Sequence, residues 1–185
     1  MSTRETIITL GDQLIRDKGF NAFSFYDIAK QLKIKNASIH YHFPSKTDLG
    51  IAVLRNQQEG LRTLIESNST KSPDVKLNAF LSIYTRIKEE GKVCIVGSLA
   101  TDLNSVDDKI ASELKILAHD ILSWVTEILD EGKRKKVFSF RETSRTKALL
   151  IITNMLAALQ VSRLTDEKDF HSIKNAIIKD LKAKP

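Results

Sequence analysis

Between residues 35 and 46 the chain gathers side chains suited to gripping an anionic polymer: Lys35, Asn36, Ser38, His40, Tyr41 and Lys46. Ammonium, amide, imidazole and hydroxyl groups bond phosphate oxygens and base edges. Their spacing places them on the outer face of one short helix, while Ile34, Ala37, Ile39 and Phe43 can turn inward and close a small core. Taken alone, such a face fits water as well as it fits an anion. The frame around it is what favours the anion. The basic run Lys133-Arg134-Lys135-Lys136 is a rival nucleic-acid contact, but a solvated loop is the expected reading, since charge runs usually are. Gly-rich phosphate loops, nucleophile elbows and HExxH are missing from the sequence. His119 and His171 have no Cys or His at ligand spacing, so neither a metal site nor a cofactor is expected. With no catalytic constellation assembled, the chain reads as a binding protein and not an enzyme.

The elements that must position this face are written just before and after it. Ser24 stands three residues before Asp27, the spacing of a capping box that opens a helix. Phe25, Ile28, Ala29 and Leu32 then follow at helical intervals and make one apolar face. A very short connection leads into the second helix. Pro44 stops that helix, because proline disfavours helical geometry in the residue before it. Ser45 and Asp48 repeat the capping-box spacing and open a third helix at once. Two short helices joined by so tight a turn cross steeply, and a helix-turn-helix presents its second helix to the major groove of DNA.

On these residues the chain resembles the tetracycline-repressor (TetR) family. The shared pattern is Gly19-Phe20, Ser24, Asp27-Ile28-Ala29, Ile34, Ala37-Ser38-Ile39, His42-Phe43-Pro44-Ser45-Lys46 and Leu49. It covers about a quarter of the chain; the remainder agrees in length and helix pattern. The resemblance implies an all-α homodimeric transcriptional regulator with a ligand-binding C-terminal domain. It implies that Lys35, Asn36, Ala37 and Ser38 face bases and nearby phosphates. By the same token His40, Tyr41 and Lys46 contact phosphates, and Ser24 and Tyr26 anchor the flanking backbone. The chain departs from the family pattern at three places. Lys33 replaces the usual turn glycine; a lysine at positive φ costs roughly 1 kcal/mol, which predicts a locally different turn. Lys35 replaces a common capping serine, leaving Asn36 to take over the cap. His40-Tyr41 replaces the more frequent Tyr-His order.

Composition is compatible with this reading. The 185 residues carry a formal net charge of +6, which suits an anionic partner. A hydrophobic fraction of 42% supplies a sizeable core, and three prolines with seven glycines favour long helices. One cysteine, Cys94, excludes an intrachain disulfide framework and fits a reducing cytosol. The charged N-terminal stretch does not read as a signal peptide. The longest apolar run, residues 148–152, is far short of the roughly 20 residues a spanning helix needs. A cytoplasmic protein is expected, nucleoid-associated when bound to DNA, with no membrane partner.

Helices are predicted over residues 3–17, 45–67, 73–90, 93–103, 105–132, 142–164 and 166–182, besides the two short ones. Arg4, near the start of the first, is open to phosphate or simply to water. Residues 1–46 are expected to form the DNA-binding domain and 47–185 the ligand-binding and dimerisation domain. Residues 148–159 are apolar almost all round, which predicts burial on all sides and therefore a partner subunit. The last two helices of each subunit would then form a four-helix interface. Phe80, Tyr84, Leu99, Leu103, Leu117, Ile121, Trp124, Asn154 and Met155 come from helices that can enclose a small-molecule pocket. Ordinary core packing is the competing reading for each. Cys94 opens the 93–103 helix, where a helix N-terminus favours a thiolate. It is a candidate effector contact and electrophile sensor, or a buried inert thiol. The expected function is that of a ligand-responsive regulator, most plainly a repressor, that binds a palindromic operator in double-stranded DNA and is released by a small-molecule effector. The alternative is a helical small-molecule-binding or thiol-sensing protein without sequence-specific DNA binding.

Overall fold

A computed structural model describes residues 2–182. Among the described residues there are nine α-helices, one single-turn 3-10 helix and no strand, as the all-α expectation requires. The helices are α1 (Thr3–Lys18), α2 (Phe25–Leu32), α3 (Asn36–His42), α4 (Lys46–Asn68), α5 (Pro73–Glu89), α6 (Ile95–Thr101), α7 (Asp108–Arg134), α8 (Ser144–Val161) and α9 (Glu167–Lys182). The 3-10 turn, Phe20–Ala22, joins α1 to α2. No helix among the described residues is long and apolar enough to cross a membrane.

The chain divides into two compact units. One holds the residues up to Leu61 together with Ile95–Ala118, the other Arg62–Cys94 together with the residues from His119 on. In the first, α1 is opened by a capping box between Ser2 and Glu5 and buries Ile7, Leu10, Leu14 and Ile15. Around these pack Ile28 of α2, Ile39 of α3, Phe43, and Leu49 and Val53 of α4, each at most 2% exposed. Three hydrogen bonds tie α6 and the turn after it to the end of α1 and the α1–α2 connection. Ser98 donates its hydroxyl to the Ile15 carbonyl at 2.8 Å, and Asp102 accepts from the Phe20 N–H at 3.0 Å. Asn21 donates to Ser105 at 2.8 Å. The cap of α7, expected at Asn104 or Ser105, lies instead at Asp107, whose carboxylate accepts from the Lys109 N–H, and the helix starts at Asp108. Gly50 lets α4 approach closely: a Cβ there would lie 2.9 Å from both Ile110 and Phe20.

In the second unit α8 packs against α9 and α5. Lys147, almost wholly buried, bonds Asp180 of α9, and Lys76 of α5 pairs with Glu131 of α7 at 2.7 Å. The α7 helix does not stop at Gly132 as the glycine suggests. It continues to Arg134, and Gly132 serves instead as bare backbone on which the Phe138 ring lies. The α8 helix is shorter than predicted, starting after a Thr143 cap. It buries Ile151, Met155, Ala158 and Leu159 on one side and exposes Leu149 and Leu150 on the other, with Val161 and Leu164 exposed beyond them.

Candidate nucleic-acid interface

The reading helix is held by its neighbours on one side only. The capping box at Ser24 forms as the spacing predicts: the Asp27 N–H donates to the Ser24 hydroxyl, and the Asp27 carboxylate accepts from the Ser24 N–H at 2.7 Å. The Ser24 hydroxyl also donates to that carboxylate at 2.7 Å, and this bond, with that of the Ser24 N–H, holds the Asp27 carboxyl below its usual range. A second box forms between Ser45 and Asp48 at the start of α4. Between them, Ile39 and Phe43 turn into the core, and the Phe43 N–H closes α3 on the Ile39 carbonyl.

The three departures from the family pattern resolve differently. Lys33 does not alter the turn; it adopts the left-handed conformation itself, with φ 55° and ψ 38°. Its N–H bonds the Ala29 carbonyl as a helix C-cap, and the Ile34 N–H bonds the same oxygen at 3.1 Å. Asn36 does not cap α3. It is the first helical residue, Lys35 occupies the cap position, and no side chain bonds the free amides there. His40 sets its ring edge-on against Phe25 with centroids 5.0 Å apart, while Tyr41 beside it is 84% exposed.

The outward face thus carries Lys35, Asn36, Ala37, His40 and Tyr41, all exposed, with Ser38 half-buried beside them. Ala37 belongs to this face and not to the core, and Ile34 is half-buried. Tyr26 of α2 is 68% exposed on the adjacent surface. Ser24 is exposed too, but both its N–H and its hydroxyl donate to Asp27. Lys46 points elsewhere. Its ammonium bonds the Phe23 carbonyl and lies 4.2 Å from the centre of the Phe23 ring and 4.9 Å from that of Phe20. Burial pushes its pKa down, against the opposing pull of Asp27 and Asp102. Lys46 therefore braces the start of α4 against the α1–α2 connection instead of standing free at the surface. A depression of about 460 Å³ also opens on this side, lined by Thr3, Ile34, Ala37, Ser38, Tyr41 and His42. Thr3 comes from a helix more than thirty residues away, and no local pattern announces it.

The residues expected to line an effector pocket separate into groups. Phe80, Tyr84 and Trp124 pack edge to face, with Phe80 centroids 5.5 Å from Tyr84 and 6.2 Å from Trp124. Burial pushes the Tyr84 phenol well above its usual value, and the neighbouring Cys94 adds to the shift. Met155 is fully buried and Ile121 half-buried in the same unit. Leu99 and Leu117 are core residues of the other unit. Leu103 is exposed, and so is Asn154, whose amide donates to the Leu150 carbonyl of its own helix at 2.7 Å. These two are corrected from cavity walls to surface residues. Cys94 is half-buried and precedes α6, which starts at Ile95. Among the described residues no cluster of His, Cys, Asp or Glu is arranged to hold a metal ion.

Residues 7–53 match the profile described as bacterial regulatory proteins, tetR family. The solved structure of a TetR transcriptional regulator from Legionella pneumophila superposes with a TM-score of 0.88 at 32% identity, covering 98% of each chain. The HTH-type transcriptional repressor NemR of Escherichia coli (strain K12) is 20% identical over 99% of this chain and 95% of its own. IcaR of Staphylococcus aureus (strain Newman), described as the negative transcriptional regulator of the biofilm operon icaADBC, is 24% identical over 95% of this chain and 99% of its own.

Proposed function

Since this chain belongs to the TetR family of bacterial regulatory proteins, we propose that it is a homodimeric repressor whose α3 helix reads a palindromic operator and whose body releases the DNA when it binds a small-molecule effector. The observation that carries the reading is the division of α3 into two faces. Ile39 is fully buried, while Lys35, Asn36, Ala37, His40 and Tyr41 stand in solvent on the other side. A seven-residue helix with one anchored face and one polar, cationic face is what the major groove admits. Lys35, Asn36 and Ser38 are assigned to base edges and nearby phosphates, with Ala37 in apolar contact with bases. His40, Tyr41 and Tyr26 are assigned to the backbone. Ser24 acts by holding α2 in place, and Lys46 by fixing the first turn of α4. Residues 1–46 would read the DNA, and 47–185 would dimerise and bind the effector, in the bacterial cytoplasm where the chromosome lies.

The exposed leucines of α8 support the dimer. Leu149 and Leu150, each 43% exposed, with Val161 and Leu164 form an apolar face that a second copy would cover. The buried aromatic group of Phe80, Tyr84 and Trp124, with Cys94 beside Tyr84, is the part of the body we assign to the effector. An effector that favours one orientation of the heads would weaken operator binding by its differential affinity for the two states. A coupling of about 1–3 kcal/mol is typical, roughly 5- to 150-fold in operator affinity.

Selection of duplex DNA from a random pool by the purified protein tests the reading. The expected result is enrichment of a palindrome by the wild type, lost in Lys35→Ala and Tyr41→Ala variants that remain folded. A folded wild-type dimer that enriches nothing at low salt would overturn it.

A further inference from the structure

We propose that Arg4, in the first turn of α1, is a phosphate-gripping residue of the DNA interface, extending it beyond the helix-turn-helix to a second element; this rests on the reading of α3 as the DNA-reading helix. Arg4 is 38 residues from the end of that helix in sequence but adjoins it in space. Its guanidinium carbon lies 5.2 Å above the centre of the Phe43 ring, the residue that closes α3. Phe43 is 2% exposed and packed into the core, so it offers the guanidinium a fixed seat. A guanidinium held over an aromatic ring by the cation–π attraction still has N–H groups to offer, and its fork matches two phosphate oxygens.

The charges around Arg4 leave it available. Among the described residues it has no carboxylate within ion-pairing distance. The nearest acid in sequence, Glu5, accepts from the Ser2 N–H at 2.7 Å in the α1 capping box; that bond is the main cause of its lowered pKa, and the charge of Arg4 only a minor one. In the groove that Arg4 lines with His42, Asp48 faces Ser45 and bonds both its N–H and its hydroxyl. Arg55, on the same groove, is paired with Glu113 at 2.7 Å. Arg4 is therefore an exposed cation that shares a groove with His42, the residue that follows Tyr41 in α3. His42 also lines the depression that holds Ser38 and Tyr41 of the reading face. A backbone phosphate seated in the groove that Arg4 lines, at the C-terminal end of α3, would meet this guanidinium. A contact of this kind carries no sequence information; it adds affinity to every duplex and fixes the register of α3.

The test measures binding of the full-length dimer to its selected operator, and to a scrambled duplex, over a range of salt concentrations. Each phosphate contact contributes about 0.9 to the slope of log K against log salt. With one Arg4 per protomer, Arg4→Ala is expected to reduce the slope by about 1.8 per dimer. It should weaken both duplexes by a similar factor. Arg4→Lys should keep most of the slope, because the charge remains. Thermal unfolding of Arg4→Ala reports whether α1 is intact. An unchanged slope in a folded Arg4→Ala protein would overturn the proposal even if affinity fell, since a merely structural role lowers affinity without releasing fewer counterions. Failure of the wild type to bind any duplex would instead overturn the DNA reading of α3, and it would be seen before any variant is compared.

Discussion

Lys33 stores backbone strain at the turn between α2 and α3, and replacing it with glycine should release that strain. At φ 55° and ψ 38° an L-residue brings its Cβ against the following carbonyl, at a cost of about 1–2 kcal/mol. Glycine avoids the clash but has more freedom to lose on folding, about 0.5–1 kcal/mol. The net gain expected for Lys33→Gly is therefore about 0.5–1 kcal/mol. No packing offsets it, because the Lys33 side chain is exposed. Both hydrogen bonds at the turn are made by main-chain N–H groups and survive the substitution. For a chain of this size 1 kcal/mol moves the melting midpoint by about 2–4 °C, so the shift should be roughly 1–4 °C upward. Lys136 is a second exposed lysine in the same region of φ, at 57°, after the end of α7. Lys136→Gly should behave alike. Lys33→Ala is the decisive control: alanine keeps the Cβ and should give little of the gain. Thermal and urea unfolding of the three variants measure it. An equal rise from alanine, or none from glycine, would show that the left-handed lysine is not strained and that the argument is wrong.

Two further outcomes follow from the second unit. A Cβ on Gly132 would stand 2.0 Å from the Phe138 ring, and Phe138 is 5% exposed and cannot leave without opening the core. Gly132→Ala should therefore lower stability by about 1–3 kcal/mol despite the better helix propensity of alanine, and denaturant midpoints would reveal the opposite sign if the ring simply swings away. Glu131 accepts from Lys135 and Lys76, which bring its pKa from 4.5 down to about 2. A carboxylate with a depressed folded pKa adds stability that is full above about 4.5 and is lost as pH falls towards 2. Glu131→Gln should flatten the acid limb of a stability–pH curve in that window while leaving the curve's shape above pH 5 unchanged, and an unaltered acid limb would refute the assignment.

The reading head was legible because its signals are local. Two Ser–Asp capping boxes, a proline stop and apolar residues at helical spacing place α2, α3 and the start of α4 within a residue or two, and each box forms as its spacing predicts. What escaped was whatever depends on distant partners. Nothing near Lys46 shows that its ammonium would turn back to the Phe23 carbonyl, twenty-three residues earlier, and leave the outer surface. Gly132 looked like a helix stop because glycine often is one; its actual role depends on Phe138 folding back onto it. Lys33 is the instructive case, since local propensity argued against a left-handed lysine. The packing of Ile28, Ile39 and Phe43 overrides about 1 kcal/mol of strain, because each of those side chains is buried to within 2%. Each contributes about 1.5–3 kcal/mol on burial. Arg4 belongs with these long-range cases. A lone arginine in a first helical turn carries no pattern, and its meaning comes only from the phenyl ring beneath it and the reading helix alongside. A head that looks complete as a helix-turn-helix in sequence can therefore recruit its binding charge from another helix, and the salt slope of its binding is where that charge would be counted.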